Sequence, residues 1–197
     1  MSRAFAGGGP RARLLFWFGC AFAARLGAQA PTASPISAND EKIWRAASAL
    51  FARGLYWEAE TRFRDLAEKL PAHAKVHFGL GAALARSDRP QAALVAFDRA
   101  LELGLRDAQC LLLRAGVLET LGRPDDAATA FAAGVALAPD HAELRLRYGV
   151  FLHRRGDRKA AGVELVEARR LRPMHGATLL AAASLAFREG ELTKARR

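Results

Sequence analysis

The residues best suited to chemistry in this sequence are five histidines, and two of them have the spacing of a metal-binding pair. His73 and His77 stand four positions apart, which places both imidazoles on one face of a helix. A zinc site needs three or four ligands, and neither a third ligand nor the glutamate of the zincin motif accompanies this pair. His73, His141 and His175 also share one position of a 34-residue period, which favours a structural role in turns. The sequence therefore predicts no metal site.

No other set of residues predicts catalysis. The glycines at positions 7–9 precede no strand, so they indicate no phosphate-binding loop, and no serine has the context of a nucleophile elbow. Cys110 has only Arg114, one helical turn away, as a basic neighbour, and this pattern predicts a half-buried, unreactive thiol. We expect a protein that is not an enzyme and that uses no cofactor.

The elements that position these residues form a repeat. From Asp40 onwards the chain divides into blocks of 34 residues without an insertion. Position 8 of each block is Gly or Ala and position 20 is Ala, so two antiparallel helices can approach closely there. Leu at position 11 and Phe at position 24 fill the space around that contact in most blocks. The blocks are residues 40–73, 74–107, 108–141, 142–175 and a partial block, 176–197.

Turn residues mark the ends of the helices within each block. Position 15 is Gly in four of five blocks and Asp88 in the other, as expected for a left-handed residue that closes a helix. Asn39 or Asp40 is placed to cap the first helix. The predicted first helices lie near residues 40–53, 74–86, 108–121, 142–155 and 176–189, and the second helices near 57–70, 90–103, 124–137 and 158–171.

This period and these positions resemble the tetratricopeptide repeat. The resemblance covers residues 40–197 and implies an all-α, right-handed α-solenoid of antiparallel helix pairs, with about four and a half repeats and a concave groove. Leu105 stands where proline is usual, and Arg114 and Arg145 stand where large apolar residues are usual. These departures affect local packing.

The resemblance also implies which side chains line the groove, because positions 2, 5, 9, 12 and 13 of each first helix face it in this family. Position 9 is Ser, Ala, Gly, Val and Ser, so the asparagines of the carboxylate clamp found in chaperone adaptors are absent. An apolar floor edged by arginines remains, which suits an amphipathic helix or an extended segment with some acidic residues. The candidate protein-binding residues are Trp44, Lys75, Phe78, Arg86, Leu112, Glu119, Leu146, His153, Arg154 and Arg188. For Leu112, Leu146 and Leu180, packing between adjacent first helices is an equal alternative.

Residues 1–30 have the features of a secretory signal peptide. Arginines at positions 3, 11 and 13 precede an apolar run of eleven residues at 14–24, and Ala28-Gln29-Ala30 supplies a small-x-small cleavage pattern. The run is too short for a stable membrane span. Residues 31–39 are rich in Pro, Ser and Ala and predict a linker. We expect an exported protein, periplasmic or extracellular. An uncleaved anchor and a lipoprotein attached at Cys20 are the alternatives, and the residues before Cys20 match a lipobox poorly.

The formal net charge of +10 is unevenly distributed. Residues 142–175 carry nine bases and four acids, a net +5, spread around both helices without an aromatic stacking platform. A nucleic-acid site more often shows an aligned basic stripe, so we expect no nucleic acid. A solvated face or a rim that attracts acidic partners fits better, and binding to an anionic surface is a weaker alternative.

These features together predict a non-catalytic scaffold or adaptor of the cell envelope that binds a protein or peptide segment in its groove. The alternative is the helical-repeat portion of a longer envelope enzyme or assembly factor, because the last repeat stops at Arg197 within a helix. The same incomplete repeat predicts an uncapped end that could self-associate.

Overall fold

A computed structural model describes residues 37–184, which form antiparallel helix pairs and contain no strand. The predicted signal peptide, Arg188 and the remainder of the last repeat lie outside the described residues. Residues 176–184 are helical up to the end of the described range. The arrangement confirms the predicted all-α solenoid. The helices are α1 Ala38–Ala52, α2 Tyr56–Lys69, α3 Ala74–Arg86, α4 Pro90–Glu102, α5 Ala108–Thr120, α6 Pro124–Leu137, α7 Ala142–Arg154 and α8 Arg158–Leu171.

The first helices of successive pairs form one layer and the second helices form another. Each helix packs against the next along the chain, and α1 also contacts α3, α3 contacts α5, and α5 contacts α7. No corresponding contact joins α2 to α4, α4 to α6, or α6 to α8 in the described part of the chain. We call α1, α3, α5 and α7 the inner helices and the others the outer helices. Side chains of the inner helices are therefore brought side by side along the stack.

The predicted left-handed turn after each inner helix is confirmed. Gly54, Gly122 and Gly156 have φ angles of 79°, 68° and 87°, and Asp88, at the same repeat position, has a φ of 57°. Glycine adopts this conformation without the steric conflict that a Cβ brings, and Asp tolerates it better than most residues. The turn is thus constant even where its residue type is not.

The cap of α1 differs from the prediction. Ser37, rather than Asn39 or Asp40, is the N-cap, and its hydroxyl accepts a hydrogen bond of 3.1 Å from the backbone N–H of Asp40. The Ser37 hydroxyl in turn donates to the Asp40 carboxylate at 2.6 Å. Because the Ser37 hydroxyl satisfies a free N–H group of the first turn, α1 begins at Ala38, two residues before the predicted start.

Close contacts between small and large side chains hold each helix pair together. A Cβ built on Gly81 would lie 2.8 Å from the Phe97 ring, and one built on Gly149 would lie 2.8 Å from Leu165. Phe97 and Leu165 are almost fully buried. These contacts join repeat position 8 to position 24, as the sequence predicts. Side-chain volume and helix separation are matched at this crossing, so a larger residue would force the helices apart.

Arginines at two apolar positions of the repeat are accommodated by ion pairs. Arg114 donates from Nε to Asp98 Oδ1 at 2.7 Å, and Arg145 donates from Nη1 to Glu164 at 2.8 Å. Arg145 and Glu164 are both mostly buried. Each pair joins an inner helix to an adjacent outer helix, so the exceptional residues still contribute contacts between helices.

A buried carboxylate joins the first two helix pairs. Glu60 on α2 is only 2% exposed and accepts hydrogen bonds from Arg64 and from Arg89, the latter at 2.6 Å. Arg89 is the residue directly before α4. A buried carboxylate is tolerated because two guanidinium groups offset its lost hydration. No helix within residues 37–184 has both the length and the apolar character needed to cross a membrane.

Candidate protein-binding groove

An apolar cavity lies between the inner helices α1, α3 and α5. Its volume is about 550 Å³, and its surface is mostly apolar. Trp44 stacks edge-on against Phe63, with ring centroids 5.2 Å apart, and the Phe78 centroid lies 6.2 Å from that of Phe97. Packing against the core therefore fixes the aromatic rings at the cavity wall. The side chains that line it from the inner helices include Trp44, Ser48, Phe51, Ala52, Phe78, Ala82 and Ala85.

A second cavity of about 680 Å³ lies further along the inner helices, and its lining combines six charged side chains with apolar ones. Ala85, Arg86, Gln109 and Leu113 line both cavities, so the two adjoin. We call them the apolar cavity and the charged cavity, and together they form the groove. The charged residues of the second cavity are Arg86, Asp88, Glu119, Glu143, Arg147 and Arg154.

Arg86 stands where the two cavities meet and is held by a tyrosine. Its Nη2 donates a hydrogen bond of 2.7 Å to the hydroxyl of Tyr56, and its guanidinium carbon lies 4.8 Å from the Tyr56 ring centroid. Tyr56 in turn packs edge-on against Phe51, with centroids 5.3 Å apart. The exposed Arg86 side chain is thus oriented by a neutral partner, and within residues 37–184 no carboxylate pairs with it.

The other two arginines of the charged cavity are paired with acids. Arg154 on α7 forms an ion pair with Glu119 on α5, and Arg147 lies 3.5 Å from the Glu143 carboxylate one turn before it. Among the nine basic residues of 142–175, five form ion pairs: Arg145, Arg147, Arg154, Arg155 and Arg170. The basic excess of this repeat is therefore partly neutralised within the chain.

The remaining candidate residues are distributed over several environments. Leu112 and Leu146 are buried, with 6% and 5% of their surface exposed, so packing dominates at both; Leu146 packs against Leu165 and Ala168. His153 is half-buried and lies outside the two cavities. Lys75 lines a third cavity, of about 500 Å³, that shares Trp44 with the apolar cavity.

Two of the histidines contact backbone groups close to them in the chain. His77 Nε2 lies 2.9 Å from the carbonyl of Pro71, and His141 Nδ1 accepts a hydrogen bond of 3.1 Å from the Leu144 N–H at the start of α7. Burial, followed by the charge of Lys75, lowers the pKa of His73 from its usual 6.5. Within residues 37–184, no cluster of three or more His, Cys, Asp or Glu residues has an arrangement that could hold a metal ion.

Cys110 is fully buried at the start of α5. Burial raises the pKa of its thiol from 9.0 to about 12, with a further contribution from Asp107, and these effects outweigh the opposing charge of Arg114. The thiolate is the nucleophilic form of cysteine, so this side chain is unreactive at neutral pH.

Tyr56 and Arg147 are among the groove residues that the sequence pattern does not predict. Tyr56 belongs to the first turn of an outer helix, whereas the family pattern considers only inner-helix positions. Arg147 lies at an inner-helix position that the family pattern does not place in the groove. Arg147 follows Glu143, a predicted groove residue, by four positions, and residues with this spacing are neighbours on a helix surface. This spacing could have placed Arg147 at the groove.

Family comparison agrees with this geometry. Two family models, each described as tetratricopeptide repeat, match residues 45–108 and 108–151. The chain carries tetratricopeptide repeats. No curated protein sequence matches it. Because tetratricopeptide repeats bind protein partners, a protein–protein interaction scaffold is the general class that the repeats support.

Solved structures share the tetratricopeptide repeat fold at low sequence identity. A Pseudomonas aeruginosa structure, reported under "Functional Characterization of Pseudomonas Aeruginosa pilF", has a TM-score of 0.70 and 21% identity, covering 80% of this chain and 72% of that one. MamA from Desulfovibrio magneticus RS-1 has a TM-score of 0.71 and 18% sequence identity, covering 82% of this chain and 92% of that one. YrrB, described as a TPR protein with an unusual peptide-binding site, has a TM-score of 0.63 and 20% sequence identity. The match covers 75% of this chain and 76% of that one.

Proposed function

We propose that the protein is an exported, non-catalytic scaffold of the cell envelope that binds a segment of a partner protein in the groove. The observation that carries this proposal is the pair of adjoining cavities on the inner helices, of about 550 and 680 Å³. Each is as large as a typical small-ligand pocket. Together they offer an apolar surface followed by a charged one, which suits a partner segment several residues long.

The rigidity of the groove supports binding of a partner. The wall residues Trp44, Phe51 and Phe78 each contact another aromatic ring, so little side-chain entropy is lost when an apolar group enters. A described peptide-binding site in YrrB, which shares the fold, is a precedent for recognition of a peptide by such a scaffold.

Site-specific photo-crosslinking tests the groove. A benzophenone amino acid would replace Ala52 or Gly116, which line the apolar and charged cavities, or the exposed outer-helix residues Val163 and Val166 as controls. We expect a discrete partner protein to be captured at Ala52 or Gly116, with the crosslink mapping to one segment of it. Equal capture of the same protein at Val163 and Val166 would contradict binding in the groove.

Export rests on the leader sequence and has its own test. The pattern at residues 28–30 predicts a mature chain that begins near Pro31. N-terminal sequencing of the protein from envelope and cytosolic fractions measures this start. We expect cleavage near Pro31 in the envelope fraction, and an intact leader with the protein confined to the cytosol would contradict export.

A further inference from the structure

We infer that the groove recognises a protein segment that places a carboxylate beside a large apolar side chain, with Arg86 binding the carboxylate and the apolar cavity binding the side chain. This inference rests on the proposed function and specifies the chemistry of the partner. It follows from a difference between two arginines that the repeat places equivalently.

Arg86 and Arg154 occupy position 13 of their inner helices, 68 residues or two repeats apart. The residue that faces each from the preceding repeat is different. Position 12 of that repeat is Glu119 for Arg154, and the two side chains form an ion pair. For Arg86 the same position is Phe51, which packs against Tyr56 instead. The chain therefore supplies an acid to one arginine and an aromatic pair to the other.

The Tyr56 contact leaves hydrogen-bonding capacity on Arg86. A guanidinium carries five N–H donors, and the hydroxyl of Tyr56 accepts from one of them. The ring 4.8 Å from the guanidinium carbon attracts the cation without neutralising it. An arginine held in this way is oriented before binding and matches the two oxygens of a carboxylate.

Within the part of the chain that the structure describes, the ion pairs of the charged cavity leave Arg86 as its one arginine without a carboxylate partner. Glu119 and Glu143 are paired with Arg154 and Arg147. The remaining acid, Asp88, lies in the left-handed turn two residues after Arg86 and forms no ion pair with it. A basic side chain brought to Arg86 would meet an unpaired positive charge, whereas a carboxylate would find a donor pair.

The apolar cavity determines what must accompany the carboxylate. Phe51 and Phe78 line it together with Arg86, and its volume of about 550 Å³ accommodates a leucine, phenylalanine or tryptophan side chain. Such walls also exclude water from one side of the ion pair, which strengthens the pair relative to one in open solvent. Recognition therefore requires both groups on one short segment.

Peptide selection followed by binding measurements tests this inference. A random peptide library would be panned on the purified protein, and the selected sequences would be synthesised with amidated and with free C termini. This separates recognition of an Asp or Glu side chain from recognition of a terminal carboxylate. We expect enrichment of an acid within a few residues of a large apolar residue. We expect Arg86→Gln to weaken binding by about tenfold or more, since a charge-assisted hydrogen bond is lost.

Arg154→Gln is the matched control, because it removes the same charge from the same repeat position. We expect it to change affinity by no more than about twofold, since Arg154 is already paired. Replacing the peptide's acid by its amide should weaken binding to the native protein and have no further effect on Arg86→Gln. Tyr56→Phe keeps the ring and removes the acceptor, so a smaller loss is expected. Thermal unfolding of each variant verifies that it is folded.

A reciprocal pair of variants tests the role of repeat position 12. Glu119→Gln removes the partner of Arg154 with little change in shape, and we expect it to create a second acid-dependent contact that Arg154→Gln abolishes. Phe51→Glu places a carboxylate next to Arg86 and should suppress binding of the acidic peptides. If Phe51→Glu unfolds the protein, Glu119→Gln alone tests the role of position 12. Absence of a new acid-dependent contact in Glu119→Gln would contradict that role.

Failure of this inference is distinguishable from failure of the proposed function. Ala52→Trp and Gly116→Trp fill the apolar and charged cavities from positions with open space or exposure. Peptides that these variants displace, but that show no acid preference and tolerate Arg86→Gln, would overturn the inference and leave groove binding intact. Peptides that neither variant displaces, or a panning that enriches nothing, would overturn both. Enrichment of a sequence from this chain itself would identify a second copy as the occupant and overturn the assignment to a partner.

Discussion

The two cavities of the groove are built from the same repeat positions, but their side chains are stabilised differently. In the apolar cavity Trp44, Phe51 and Phe78 pack against other aromatic rings, and Arg86 donates a hydrogen bond to a tyrosine. In the charged cavity Arg147 and Arg154 pair with Glu143 and Glu119. The repeat fixes where a side chain is placed, and the residue contributed by the preceding repeat determines whether its charge remains available.

The largest effect is expected from a substitution beneath the apolar cavity. Phe97 is fully buried and its ring lies against Phe78 and Gly81. We expect Phe97→Ala to lower the free energy of unfolding by about 3–5 kcal/mol, because it removes an aromatic side chain from a packed core. Val95→Ala on the same helix is the control. Val95 is 70% exposed, so a change within about 0.5 kcal/mol is expected.

Denaturant unfolding of both variants measures this difference. A comparable loss for the two would show that α4 does not support the cavity through Phe97. Retained stability in Phe97→Ala together with loss of peptide binding would instead assign Phe97 to recognition rather than to packing.

Glycine-to-alanine substitutions should change the stability of the protein in opposite directions beneath the apolar cavity and in the charged cavity. The Cβ of Gly81→Ala would lie 2.8 Å from the Phe97 ring, whereas that of Gly116→Ala, in the charged cavity, meets nothing within 4 Å. We expect Gly81→Ala to destabilise the protein by about 1–3 kcal/mol through overpacking. We expect Gly116→Ala to stabilise it by about 0.5–1 kcal/mol through the lower entropy cost of alanine in a helix.

Thermal and denaturant unfolding of the two variants measure whether each one is more or less stable than the native protein. Stabilisation by Gly81→Ala would show that α3 and α4 are not in close contact. Destabilisation by Gly116→Ala would show that this face of α5 is covered.

The ion pair of the charged cavity should contribute little to stability. Arg154 is 62% exposed and Glu119 is 23% exposed, so solvent screens their attraction. A double-mutant cycle with Arg154→Ala and Glu119→Ala should give a coupling of about 0.2–1 kcal/mol, which decreases as salt is added. A coupling well above this range, or one that salt does not change, would show that the pair is a structural element rather than a neutralised surface.

The titration of His73 should have the smallest effect on stability. His73 lines the third cavity, which also contains Lys75 and Trp44. Its pKa in the folded state is below the usual 6.5, so the unfolded chain binds its proton more readily. The stability that His73 contributes is therefore present above the unfolded pKa and is lost as the pH falls through it. The unfolding free energy of the native protein should fall more between pH 7 and pH 5 than that of His73→Gln, while Lys75 and His77 remain unchanged. Identical pH dependences would contradict this assignment.

Much of the fold is predictable from the sequence because the repeat constrains it several times over. Position 8, position 15 and position 24 each have one steric task, and Gly81, Asp88 and Phe97 perform these tasks as expected. The start of α1 was missed because its cap, Ser37, lies before the first repeat, where the period gives no information.

The groove is less predictable because it depends on pairs of residues from different repeats. The sequence places Arg86 and Arg154 at one position and predicts one role for both, but their partners, Tyr56 and Glu119, are visible only when the repeats are stacked. The same limitation applies to Leu146, whose position suits either the groove or the core and which the structure places in the core.

NMR of the arginine side chains tests the central comparison most directly. In protein labelled with ¹⁵N, the Nε–H resonances of Arg86 and Arg154 would be assigned by Arg86→Lys and Arg154→Lys and then followed while a selected acidic peptide is added. We predict that the Arg86 resonance shifts with the binding isotherm of the peptide, and that the Arg154 resonance shifts only in Glu119→Gln. Equal shifts of both resonances in the native protein, or a shift of Arg154 alone, would contradict the conclusion that the chain leaves Arg86 unpaired for a partner's carboxylate.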